Sequence, residues 1–168
     1  QAEDGRRVYE VTGVQTCALP ILQSLLGQIT GAEAALVVNN NASAMLLGLS
    51  ALASGKEVVV SRSEAVEIGG GFRVPDVLRQ SGATLVDIGT TNRTYVRDYD
   101  DAVTENTAAF LKVHASNFRV EGFTASVETA DLVAVGAKRG VTVLHDVGSG
   151  SLMPTEKYGM AHEPMPQE

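Results

Sequence analysis

Short valine-rich runs alternate with helix-patterned segments along the chain, and this alternation leaves few folds open. The runs are Ala34–Asn39 (AALVVN), Glu57–Arg62 (EVVVSR), Thr84–Gly89 (TLVDIG), Ala108–Ala115 (AAFLKVHA) and Val141–Gly148 (VTVLHDVG). They are near-continuously apolar, as strands covered on both faces are. In the segment between the first two runs, Asn41 is placed to cap the helix NASAMLLGLSALA, with Gly55 as its stop. VPDVLRQSG carries a proline in its first turn and closes on Gly82, and DYDDAVTEN reads as a short acidic helix. ASVETADLVAVGAKRG has Ser126 near its start, basic residues in its last turn and Gly140 as its stop. Repeated strand–helix units predict an α/β fold: a mainly parallel sheet sandwiched by helices.

The first 21 residues break the pattern. Val11–Ile21 (VTGVQTCALPI) holds no period of two or of 3.6 and closes on Pro20–Ile21. Back-translated, it reads as a sequencing-library adapter, and Gln1–Gly5 reads as the start of the matching primer. Residues 1–21 are therefore expected to be an assembly scar, excluded from the fold. Of the formal charge of −7, residues 22–168 carry −6. An acidic balance argues against a broad nucleic-acid-binding face on this piece. The single cysteine, Cys17, lies in the scar, so the rest has no disulfide, thiolate nucleophile or cysteine zinc site. Apolar runs stay short of membrane-spanning length and no signal-peptide pattern is visible, so a cytoplasmic protein with no membrane partner is expected. The tail from Ser151 reads as loop, and the chain stops there as a truncation would.

In an open α/β sheet, ligands bind beyond the carboxyl ends of the strands. Polar and glycine-rich groups recur there: NNNASA, SRSEAVEIGGGFR, GTTNRT, HASNFRVEGF and HDVGSGS. The first suits a phosphate or carboxylate at a helix N-terminus, or an ordinary asparagine cap. EIGGGF suits an anion nest or a flexible turn. Neither glycine cluster fits a dinucleotide fingerprint or a P-loop. In HDVGSGS an aspartate ends a buried strand and the backbone turns tightly after it. Strand alternation sends His145 and Asp146 to opposite faces, so His145 is expected to be packed or hydrogen-bonded in the core. His114 suits a site role or a structural one equally, His162 is expected in solvent, and histidines so scattered predict no metal site.

TGAEAALVVNNNASAMLLGL, VVVSRSEAVEIGGGFRVPDVLRQSGATLVDIGTTNRT, LKVHASNFRVEGFT, HDVGSGSL and EPMPQE together resemble bacterial selenocysteine synthase, the L-seryl-tRNA(Sec) selenium transferases. The resemblance covers residues 22–168 and implies part of the large domain of a pyridoxal-phosphate (PLP) enzyme of the aspartate-aminotransferase type, fold type I. It implies a cytoplasmic homo-oligomer whose partners are seryl-tRNA(Sec) and selenophosphate. The family's reaction eliminates the seryl hydroxyl as water and adds selenium to the product. Carried over, Asp146 pairs with the PLP pyridine nitrogen, and Asn41, Ala42 and Ser43 hold its phosphate. Asn117 is implied for the PLP phenolate oxygen, and Arg73, Arg93 and Arg119 for anionic substrate groups. The Schiff-base lysine is implied to lie beyond Glu168. Lys56, Lys112, Lys138 and Lys157 stand in other contexts, so the isolated chain is expected to be inactive. In the segment after the second run no aromatic precedes Phe72, which leaves the ring-stacking group open. Two rivals remain: a related PLP lyase or transferase acting on a small amino sugar or amino acid, and a binding domain without catalysis.

Overall fold

The computed structural model describes residues 18–69 and 71–168. Two units divide the chain. Asn40–Ser149 forms one, and the residues up to Asn39 with Gly150–Glu168 form the other.

The first unit holds a four-stranded sheet made of β1 (Glu57–Ser61), β4 (Thr84–Ile88), β5 (Thr107–Val113) and β6 (Thr142–Asp146), in the order β4-β1-β5-β6. Every pairing in it is parallel. The predicted apolar continuity has a direct cause in β1. Val58 and Val60 enter one core and Val59 the other, and all three are fully buried. Helices α2 (Asn41–Ala53) and α3 (Val74–Gln80) supply Leu49, Ala53, Val74, Val77 and Leu78 to the first core. Helices α4 (Val96–Asp101) and α5 (Thr129–Arg139) supply Tyr99, Leu132 and Val135 to the second. There Tyr99 meets Phe110 edge to face, with centroids 5.3 Å apart. Burying each such side chain contributes about 1.5–3 kcal/mol, which is what holds helices to both faces.

The chain leaves β1 for β4 on one side and returns to β5 on the other. The carboxyl ends of β1 and β5 therefore flank the topological switch point, the crevice where ligands of open α/β sheets bind.

Several expectations are corrected. Ala34–Asn39 is not a strand: it falls in the other unit, is largely half-buried or exposed, and pairs with no strand among the described residues. Valine content alone does not make a strand without a ladder partner. The cap of α2 is Asn40, whose Oδ1 accepts from Ser43 N at 2.8 Å, and Asn41 is the first helical residue. Helix α5 starts at Thr129, three residues past Ser126, because the backbone at Ala125 is committed elsewhere. Ala125 N donates to Asn92 O at 2.9 Å and Ala125 O accepts from Thr94 N at 2.9 Å. Helix α4 starts two residues before Asp98, whose Oδ2 accepts from Tyr95 N at 2.8 Å. Around the glycines, β2 (Glu67–Gly69) pairs antiparallel with β3 (Phe72–Arg73).

In the other unit, residues 18–30 form a helix, α1, which includes the last four residues of the expected scar; the other seventeen lie outside the described residues. A 3-10 turn covers Thr155–Tyr158, and Gln167 Nε2 donates to Ile29 O at 3.2 Å. His162 is exposed there, as expected, between Glu156 at 2.6 Å and Glu168 at 3.3 Å. Among the described residues no helix is long and apolar enough to cross a membrane.

Candidate functional site

Asp146 ends β6 and is 5% exposed. Its Oδ1 accepts from Asn41 Nδ2 at 2.8 Å, across 105 residues of chain, and from Gly148 N at 2.9 Å. Its Oδ2 is buried and has no hydrogen-bond partner among the described residues. A buried carboxylate oxygen left without a donor is costly, and native proteins leave few of them. An N–H brought by a ligand satisfies it, and a protonated ring nitrogen is such a donor. The residues therefore fit the pyridine nitrogen of PLP.

The local backbone explains the geometry. Gly148 has φ of +64°, and the turn it makes aims its N–H back at the aspartate. A Cβ there would also lie 3.0 Å from Ser116 Oγ, so the loop after β5 packs directly on the loop after β6. His114 N donates to Asp146 O at 2.8 Å and extends the pairing of the two strands. Asn117 is exposed in that β5 loop. Ala42 and Ser43 follow Asn41 at the start of α2, and the Ser43 amide is already engaged by the Asn40 cap.

The three arginines sit on separate features. Arg73 on β3 pairs with Glu67 on β2 at 2.8 Å, and this hydrogen-bonded partner raises its pKa further. Arg93 Nε donates to Phe123 O at 3.2 Å and its guanidinium lies over the Phe123 ring, 5.8 Å from the centroid. Arg119 stands 3.9 Å from Glu121, both in solvent. His145 does face away from Asp146's partners and meets Thr129 Oγ1 at 3.2 Å, but it is exposed rather than in the core. It lies on β6, which is an edge strand of the four-stranded sheet.

One group was not foreseen. Glu64 ends the 3-10 turn Arg62–Glu64 that follows β1 and is 8% exposed. Its Oε1 accepts from Lys112 Nζ at 2.7 Å and its Oε2 from Val113 N at 2.9 Å. Burial first, and the Glu64 carboxylate second, push the nearby Tyr99 phenol well above its usual range, so it stays neutral. The available signal was the lysine inside AAFLKVHA: a cation in a buried strand demands a buried anion.

The family model of L-seryl-tRNA selenium transferase matches residues 12–168. A selenium transferase of that name from Alkaliphilus oremlandii is 61% identical over 140 residues, which is 83% of this chain and 30% of the relative. Another, from Moorella thermoacetica, is 52% identical over 167 residues, 99% of this chain and 33% of the relative. The chain thus spans about a third of the length of the curated relatives it matches. Among solved structures, a D-glucosaminate-6-phosphate ammonia-lyase superposes with a TM-score of 0.71 at 19% identity, covering 81% of this chain and 40% of that one. A serine palmitoyltransferase from S. paucimobilis with bound PLP gives 0.54 at 18% identity, covering 73% and 30%. These structural likenesses establish the fold, that of PLP-dependent fold type I enzymes. With the family model spanning nearly the whole chain and relatives more than half identical to it, the chain belongs to the L-seryl-tRNA selenium transferase family.

Proposed function

We propose that the whole protein carrying this chain converts seryl-tRNA(Sec) to selenocysteinyl-tRNA(Sec) with selenophosphate, and that this chain is part of its PLP-binding large domain. The observation that carries the proposal is the half-satisfied Asp146 carboxylate, buried at the sheet's carboxyl edge beside the start of α2. PLP, when bound, supplies a conjugated ring that takes up the electron pair released at the substrate α-carbon.

This chain's residues prepare that chemistry. Asp146 Oδ2 holds the proton on the pyridine nitrogen, because an anion beside it favours the charged form. Asn41 and Gly148 fix the other oxygen, so the carboxylate cannot rotate away. Asn41, Ala42 and Ser43, at the N-terminus of α2, are the proposed holders of the phosphate, and Asn117, on the adjoining loop, is the proposed partner of the phenolate oxygen. Arg73, Arg93 and Arg119 offer charge to anionic substrate groups. The Schiff-base lysine lies in a part of the protein outside this chain. Lys112 is no substitute, since Glu64 holds it at 2.7 Å.

The test is made with the full-length protein, PLP, seryl-tRNA(Sec) and selenophosphate, reading selenium transferred to the tRNA. Transfer is expected. Its absence, with ammonia released from a phosphorylated amino sugar instead, moves the assignment to the small-substrate rival. We further propose that the enzyme is a cytoplasmic homo-oligomer and that residues 1–21 are foreign. Reading the locus through that junction checks the last point, and native codons matching residues 1–21 overturn it.

A further inference from the structure

We propose that Glu64 is a positioning residue for the site: its carboxylate bolts the end of β1 to the end of β5 across the switch-point crevice and so fixes Asp146. The inference rests on the PLP reading of Asp146 and adds a residue to it.

The backbone pairing shows why a bolt is needed. The ladder between β1 and β5 ends at Val60–Leu111, after which β1 continues to Ser61 and turns off into Arg62–Glu64. Strand β5 runs two residues further, to Val113, which pairs with Asp146 on the other side. Past Leu111 the ladder offers β5 no partner from β1. Glu64 Oε2 replaces that partner by accepting from Val113 N at 2.9 Å, while Oε1 takes the ammonium of Lys112 at 2.7 Å. The two side chains are only 10% and 14% exposed, so both charges depend on each other.

The next amide along β5, that of His114, points the opposite way and donates to Asp146 O at 2.8 Å. One residue therefore separates the bond that Glu64 makes from the bond that holds Asp146. The coupling runs through main chain in a parallel sheet and contains no free rotor. A displacement of Val113 passes to Asp146, whose open oxygen must meet its donor within a narrow angular range.

The test separates this role from that of an ion pair that merely stabilises the fold. Two double variants of the full-length protein remove both charges, Glu64→Gln/Lys112→Met and Glu64→Leu/Lys112→Met. They differ in whether position 64 keeps an acceptor for Val113 N–H. PLP labelled with 15N at its pyridine nitrogen is titrated into each, and both the affinity and the nitrogen resonance are read. The Gln/Met variant is expected to keep the protonated resonance and bind within about threefold of the parent protein. The Leu/Met variant is expected to bind about tenfold more weakly, the equivalent of one lost buried hydrogen bond, with its resonance moved toward the unprotonated position. Equal behaviour of the two overturns the proposal, even where both melt at lower temperature. Glu64→Asp keeps the charge opposite Lys112 but withdraws the oxygen from Val113. It should move the resonance the same way, so the proposal is still decided if the Leu/Met variant does not fold, and an unmoved resonance overturns it. Asp146→Asn guards the premise. If it leaves the nitrogen resonance where it was, the PLP reading fails. If it moves the resonance while the Glu64 variants do not, the PLP reading stands and the positioning role fails.

Discussion

At the end of β1, Glu64 has a donor on each oxygen, Lys112 at 2.7 Å and the Val113 amide at 2.9 Å. At the end of β6, Asp146 has two donors on one oxygen and none, among the described residues, on the other. Both residues are more than nine-tenths buried, and both lie at the carboxyl ends of strands of the same sheet. A fully satisfied buried carboxylate ties elements together and has nothing left to offer a ligand. A half-satisfied one carries a desolvation cost that persists until a donor arrives, and this makes it a site.

The sharpest way to break this contrast is to remove each charge and read both activity and stability. Asp146→Asn in the full-length enzyme should lower turnover by on the order of 10²–10³-fold, the usual cost of removing a preorganised electrostatic partner. Its denaturation midpoint should move little, since Oδ2 holds no bond among the described residues. Glu64→Ala should do the reverse in weight. It leaves Lys112 buried without a counter-ion and should cost about 3 kcal/mol of stability by urea denaturation. Equal stability losses in the two variants would erase the distinction between a tie and a site.

A smaller effect sharpens the same contrast. Asn41→Ala removes one of the two donors to Asp146 Oδ1 while leaving the Asn40 cap of α2 intact. A loss of about 1 kcal/mol, seen as several-fold weaker PLP binding with the helix content unchanged by circular dichroism, is expected. Weaker binding accompanied by loss of helix would mean that Asn41 serves the helix and not the carboxylate.

The fold was legible because its signals are local. Val58–Val60 has to be buried on both faces, and the glycine and proline punctuation around α3 and α5 left little freedom in where units begin and end. Asp146 was legible for the same reason: a charged residue ending an apolar run and followed by Gly-Ser-Gly needs a purpose. What stayed hidden is what depends on pairing across the chain. AALVVN looks like a strand until one asks what it pairs with. The cap of α2 falls on Asn40 rather than Asn41 because the side chain at 41 is drawn to a carboxylate 105 residues away. Glu64 looks like an ordinary loop acid until β5 is seen to outrun β1.

Asp100 extends the comparison to a third carboxylate, on the solvent side of α4. It accepts from Arg139 Nε at 2.6 Å and Lys138 Nζ at 3.3 Å, both on α5. Chiefly through the Arg139 hydrogen bond, against the opposing effect of desolvation, its pKa falls from 3.8 to about 2. A depressed folded-state value means that its tie between α4 and α5 is fully present above 3.8 and is lost as the pH falls through about 2. An NMR titration of the Asp100 carboxyl should find its midpoint in that lowered position, and Arg139→Gln should return it toward 3.8. Because both cations are partly in solvent, added salt should shrink the shift. A midpoint already at 3.8 at low salt would mean that the pair is formed but does no work. Asp100 is satisfied by cations that stand partly in solvent, whereas Glu64 is satisfied by a main-chain amide and a lysine that are largely buried. Asp146 is as deeply buried as Glu64 but keeps its second oxygen without a partner among the described residues, and this is why the same carboxylate chemistry serves as a surface tie on α4, a buried bolt after β1 and an open site at the end of β6.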